Sequence, residues 1–205
     1  MRRTMPMVAL ALTLLVTAAC NGSHSTNASA TQNTAQGVTL TEVIKYTPTI
    51  PTDEEREGRC WTSSLAVARE DAWRCMVGNQ IFDPCFAVGS DQAIVCGTDP
   101  VTNKSGFRLK LTEPLPAPDL PPQVKENYKG WLIQLTDGTM CGYATGATGG
   151  VNGERANYLC SDKSVILGDL KPSQVWTAKK AILESGPNGF SIKESQIVTI
   201  HTVWQ

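Results

Sequence analysis

Alternation with a period of two dominates the hydrophobic pattern of this chain, and it predicts strands. Phe107, Leu109 and Leu111 fall on one face of a short run, with Arg108 and Lys110 on the other. Residues 131–136 and 139–144, joined by the turn pair Asp137-Gly138, predict a hairpin. β-Branched and aromatic residues crowd 38–46 ahead of Pro48 and Pro51. Further strands are expected at 164–167, 175–183 and 195–204, with Pro187-Asn188-Gly189 turning between the last two. One segment departs from this pattern. Trp61, Leu65, Ala68, Ala72 and Met76 are spaced by three or four, which predicts a short helix capped by Ser63 or Ser64 and ended at Gly78-Asn79. Proline-rich residues 113–122 predict an extended connector. It reads as a crossover within one domain rather than a subdomain boundary, because neither half shows many core strands. The expected fold is mainly β: an antiparallel sheet, sandwich or barrel-like domain with one short disulfide-tied helix.

The first twenty residues carry a different signal. Met1-Arg2-Arg3 opens the chain, an apolar stretch covers 5–16, and Ala18-Ala19 precede Cys20. The stretch is too short for a bilayer, which needs about 20 residues, but it suits the apolar region of a cleaved signal. In this order the features resemble a bacterial lipoprotein signal peptide with its lipobox, although Thr17 stands where leucine is commonest. The resemblance implies that residues 1–19 are removed and that Cys20 receives a diacylglyceryl group and becomes the mature N-terminus. It also implies an address in the cell envelope, lipid-anchored to the membrane and facing the extracytoplasmic side. The competing reading is an ordinary secretory signal with Cys20 a bystander. Two acyl chains hold a membrane stably where one binds marginally, at about 0.8 kcal/mol per buried methylene. No later run is apolar enough for a transmembrane helix, so Cys20 is the only predicted attachment. Residues 21–38 contain no Asp, Glu, Lys or Arg and little apolar area, so they predict a disordered tether holding the domain on the order of 20–25 Å away. His24 lies within it and has no expected role.

Residues 39–205 are long enough for a single disulfide-stabilised domain with a real core. The formal net charge is −1 and the pI is near 6.1, which points away from nucleic acid and anionic membrane surfaces. Lys179-Lys180 reads as part of a solvated strand face. Apart from Cys20, six cysteines remain: Cys60, Cys75, Cys85, Cys96, Cys141 and Cys160. In an exported protein an even number favours three disulfides. A zinc site would show closer cysteine or histidine pairs, whereas every gap here is ten residues or more, so no metal is expected. Cys85 and Cys96 sit at the open end of a hairpin turned at residues 89–92, and Cys141 and Cys160 bracket two strand-like runs around the loop 145–154. Cys60 and Cys75 then remain by elimination, although other pairings within the Cys60/Cys75/Cys85/Cys96 quartet stay open. Each bond would stabilise by about 2–4 kcal/mol.

Catalytic motifs are sparse. Outside the tether only His201 could serve a nucleophile, and it alternates with Thr199 and Val203 along one strand. No Gly-x-Ser-x-Gly elbow, Ser-x-x-Lys pair, phosphate loop, EF-hand or dinucleotide fingerprint occurs. The carboxylates Glu70, Asp71, Asp83, Asp91, Asp99, Asp137 and Asp162 mostly sit beside turn formers, and a glycosidase pair would need two of them facing across a cleft. Glycine-rich 142–153 reads as a hairpin loop. Residues 60–86 hold the densest set of informative side chains, with Trp61, Arg69, Asp71, Trp73 and Arg74 among the cysteines. Across 58–205 the chain resembles an exported bacterial domain found in lipoproteins and other surface proteins, a resemblance that implies no activity. Packing of tryptophans on disulfides is one reading of that segment. The other is a recognition patch, because Trp, Tyr and Arg are the usual anchors of binding surfaces. The expected function is a non-catalytic, lipid-anchored extracytoplasmic domain, without cofactor, that binds an envelope component or a protein partner. The alternatives are an envelope hydrolase using His201 or a carboxylate pair, and a structural or inhibitory module for another exported protein.

Overall fold

The computed structural model describes residues 39–119, 130–187 and 189–205. The signal segment, Cys20, the tether and the end of the proline-rich connector therefore lie outside the described residues. Thirteen strands and no helix occur among those described. They build two small barrels within one compact unit.

The first barrel contains β2 (Glu55–Ser63), β3 (Ala72–Val77), β4 (Gln80–Val88), β5 (Ala93–Cys96) and β6 (Phe107–Leu111). Neighbours pair antiparallel in chain order, and β6 closes the barrel by running parallel to β2, with Glu55 opposite Arg108 and Gly58 opposite Leu111. Alternation decides which side chains point inward. Trp73, Cys75, Phe107 and Leu109 fill the interior together with Ile94, while Arg108 and Lys110 remain exposed.

The second barrel uses β7 (Leu132–Leu135), β8 (Met140–Tyr143), β10 (Glu154–Cys160), β11 (Val165–Lys171), β12 (Thr177–Gly186) and β13 (Gly189–Trp204), closed by β13 on β7. Two short strands complete it: β1 (Glu42–Ile44) runs parallel to the end of β13, and β9 (Gly150–Val151) pairs with the start of β10. The Thr41 hydroxyl donates to the Ile200 carbonyl and accepts from the Trp176 amide, both at 2.7 Å. That pins the chain where β12 begins and β1 takes over as neighbour of β13. Tyr158, buried in this core, donates its hydroxyl to the Gly130 carbonyl at 2.8 Å.

All six cysteines of the domain are paired as Cys60–Cys75, Cys85–Cys96 and Cys141–Cys160. Each bond joins residues directly opposite on neighbouring strands. Three disulfides are what an oxidising, extracytoplasmic compartment sustains.

One expectation needs correction. The helix through Trp61 and Met76 does not form: the segment is β2, a turn and β3. In a helix the fifteen residues separating Cys60 from Cys75 would hold them about 22 Å apart, far beyond disulfide reach. The capping signal was nevertheless local and real. The Ser64 hydroxyl accepts the amides of Ala66 and Val67, at 3.1 and 3.2 Å, and so nucleates a turn instead of a helix. The connector, expected as a crossover within one domain, links two barrels of one compact unit, each with its own core.

Candidate functional site

The segment 60–86 divides among three environments. Trp73 is buried in the first barrel against the disulfides. Arg69 and Asp71 form a two-pronged ion pair at 2.8 and 2.6 Å, and Arg69 Nη1 also donates to the backbone carbonyls of Tyr46 and Gln205. This clamp ties the β2–β3 turn to the chain flanking β1 and to the end of β13. Burial would raise the Asp71 carboxyl, but the hydrogen bonds and charge of Arg69 outweigh it and hold it below the ordinary range. Beside the clamp, Tyr46, Phe86 and Trp131 pack at ring-centroid distances of 5.8–6.1 Å, an aromatic cluster joining the two barrels.

Trp61 and Arg74 lie on the outer surface. Trp61 is half-exposed, and the Arg74 guanidinium lies 5.6 Å from its ring centroid. Arg74 Nη1 donates to the Thr145 carbonyl of the glycine-rich loop at 3.1 Å, while its buried Nε has no protein partner. Near Arg74 lies Asp83, whose carboxylate accepts from the Ser64 hydroxyl and the Leu65 amide. Burial pushes this carboxyl above its ordinary value against those hydrogen bonds and the charge of Arg74. Asp83 occupies a strand position before the cis peptide to Pro84, so its sequence setting beside proline gave no hint of this role. Asp119 escaped notice altogether. Its carboxylate accepts from the Thr62 hydroxyl and the Ser63 amide, both at 2.8 Å, and so anchors the connector to the end of β2.

A cleft of about 390 Å³ opens where the connector passes over the first barrel. Its walls are Trp73, Ala87, Leu115, Pro116 and Pro118, with Gln92, Glu70 and Asp71 supplying polar groups. The apolar walls, the few polar groups and the volume suit a small molecule or one or two peptide side chains. Two acidic side chains with one already neutralised by Arg69 leave Glu70 to favour a cationic or hydrogen-donating group.

His201 stands apart. A register shift between Ile200 and Thr202 breaks the expected alternation, leaving His201 exposed while Thr202 and Val203 are buried. Its Nδ1 is 2.7 Å from the Thr202 hydroxyl. Three of the other candidate carboxylates serve turns. Asp99 accepts from the Val101 amide, Asp137 from the Thr139 amide and Asp162 from the Ser164 amide. The glycine-rich loop is tied down by Arg155, which donates to the Ala144 and Gly146 carbonyls.

Lys180 is no solvated strand residue. Its ammonium lies 2.7 Å from Asp162 and 3.2 Å from Asp137, with 11 % of the side chain exposed. Partial burial would raise the Asp162 carboxyl, but hydrogen bonds from Lys180 and Ser164 outweigh it and hold it down to about 2. A carboxyl depressed in the folded state stabilises above its unfolded value of about 3.9 and loses that contribution as pH falls toward the folded value. Urea midpoints measured between about pH 5 and pH 2 should therefore fall less steeply for Asp162→Asn than for the native chain. Parallel slopes would show that the lysine contributes nothing through this carboxylate.

No helix among the described residues is long and apolar enough to cross a membrane. Comparison with protein-family models, curated proteins and solved structures finds no match, so the fold and the cleft stand on their own geometry.

Proposed function

We propose that this chain is a non-catalytic, lipid-anchored extracytoplasmic domain that binds an envelope component or a protein partner through the cleft beneath its connector. The observation that supports this reading is the cleft itself. Its apolar walls and single free acidic side chain offer recognition chemistry, with Glu70, Asp71 and Trp73 drawn from the segment richest in aromatic and charged residues. The half-exposed Trp61 braced by Arg74 adds a second, smaller contact surface outside the cleft. Anchoring through Cys20 would present both surfaces to the envelope at the reach of the tether.

The test is capture from detergent-solubilised envelopes by the full chain. Native protein and His201→Ala are expected to retain the same component, and Glu70→Lys to retain at least tenfold less. Trp61→Ala should fall between them. Hydrolysis or group transfer by the native chain that disappears in His201→Ala would overturn the proposal, as would capture indifferent to Glu70.

A further inference from the structure

We infer that the outer edge of β13 from Gly189 to Val198 pairs with the same edge of a second copy of this chain, about a two-fold axis. β12 covers one side of β13 from Gly189 to Thr199. On the other side, β7 reaches only as far as Ile200, while β1 continues the β12 side from Thr202 onward. Among the described residues no strand hydrogen-bonds to the remaining edge, although the Phe190 ring at its start packs against Gly149 beside β9. It carries two exposed apolar side chains, Phe190 at 51 % and Ile197 at 70 %.

The edge is self-complementary. Ile182 faces Glu194 and Leu183 faces Ile192, so Lys193 is an extra, bulged residue and the alternation of faces inverts there. Phe190 lies opposite Ser185 and Ile197 opposite Lys179. Because those two positions are an even number apart on unbulged β12, Phe190 and Ile197 share a face. The direction of the backbone groups follows too. The Thr199 carbonyl accepts from Thr136 on the side away from β12, so Ile197 and Ser195 also present their polar groups outward. Beyond the bulge, Ile192 and Phe190 do the same.

Antiparallel pairing that sets Phe190 opposite Ile197 of the second copy also sets Ile192 opposite Ser195. Every outward amide and carbonyl in these four positions then meets an outward partner. Lys193 comes beside Glu194 of the second copy, joining opposite charges at the centre. A slip of one residue would set outward groups against inward ones. The bulge and the lysine are also devices that blunt a lone edge, and a Glu184–Lys193 ion pair at 3.6 Å exists within the single chain. Self-pairing and edge protection therefore make opposite predictions for one experiment.

Phe190→Cys and Ile197→Cys are introduced separately into the full chain carrying Cys20→Ala, and the two proteins are mixed and oxidised in air. In the proposed pair these positions lie about 5.5 Å apart, within disulfide reach. Like positions lie seven residues apart along the strand, about 23 Å. The mixture should yield a covalent dimer on denaturing gels while each variant alone forms no cross-link. Adding Ser195→Pro to both should abolish the dimer by removing an outward donor and crowding the ladder. A mixture that stays monomeric, or single variants that cross-link as readily as the mixture, would overturn the inference.

Discussion

Arg69→Ala is expected to lower the free energy of unfolding by about 3 kcal/mol. The side chain is 10 % exposed and serves three acceptors: the Asp71 carboxylate and the carbonyls of Tyr46 and Gln205. It also lies 4.8 Å from the Phe86 ring centroid, against the aromatic cluster that joins the barrels. Truncation takes the guanidinium from the Asp71 carboxylate and the Tyr46 carbonyl, while the Gln205 carbonyl keeps the Tyr46 amide at 2.8 Å, and unsatisfied polar groups cost more than the net worth of the bonds they replace. Arg69→Lys should recover less than half of the loss, because an ammonium cannot reproduce the planar fork that reaches carboxylate and carbonyls together. Urea unfolding of the three proteins measures this directly. A loss below about 1 kcal/mol for Arg69→Ala would mean that water takes over the clamp and the seam does not depend on it.

The second large effect concerns the Cys85–Cys96 bond. Cys85→Ala with Cys96→Ala is expected to destabilise the chain by about 2–4 kcal/mol, chiefly by freeing the unfolded state. Both sulfurs are fully buried beside Trp73 and Phe107 in the first barrel, so lost packing adds to lost cross-linking. Thermal unfolding of the paired variant against the native protein gives the measurement. An unchanged midpoint would show that the β4–β5 ladder alone holds this hairpin.

Strands were legible where one face is wet. At 107–111, alternation reports burial directly, because Phe107 and Leu109 enter the core while Arg108 and Lys110 face water. The Asp137-Gly138 turn was equally plain, since Gly138 adopts a positive φ of 85° and the Asp137 carboxylate takes the Thr139 amide. The error at 61–76 arose because spacings of three and four accumulate by chance across a strand, a turn and another strand. Distance would have exposed it, since Cys60 and Cys75 cannot bond across a helix of that length.

The site was only half legible. Trp61, Arg69, Asp71, Trp73 and Arg74 announced a region rich in chemistry, but nothing local distinguishes a tryptophan buried on a disulfide from one half-exposed over an arginine, and Glu70 read only as a turn carboxylate. Leu115, Pro116 and Pro118, which wall the other side of the cleft, are remote in sequence and meet Trp73 only because the connector folds back over the barrel. Lys180 reads as a surface lysine until two separate turns bring Asp137 and Asp162 to it.

Short-range rules thus determined the strand class and the hairpin turns, because each depends on residues within a few positions of one another, but they left the pairing within the Cys60/Cys75/Cys85/Cys96 quartet open for the fold to decide. Closure into two barrels, the clamp of Arg69 on both ends of the domain, the cleft and the free edge of β13 were decided by tertiary structure. Each depends on hydrogen bonds and packing between residues tens of positions apart, whose energies no local pattern carries.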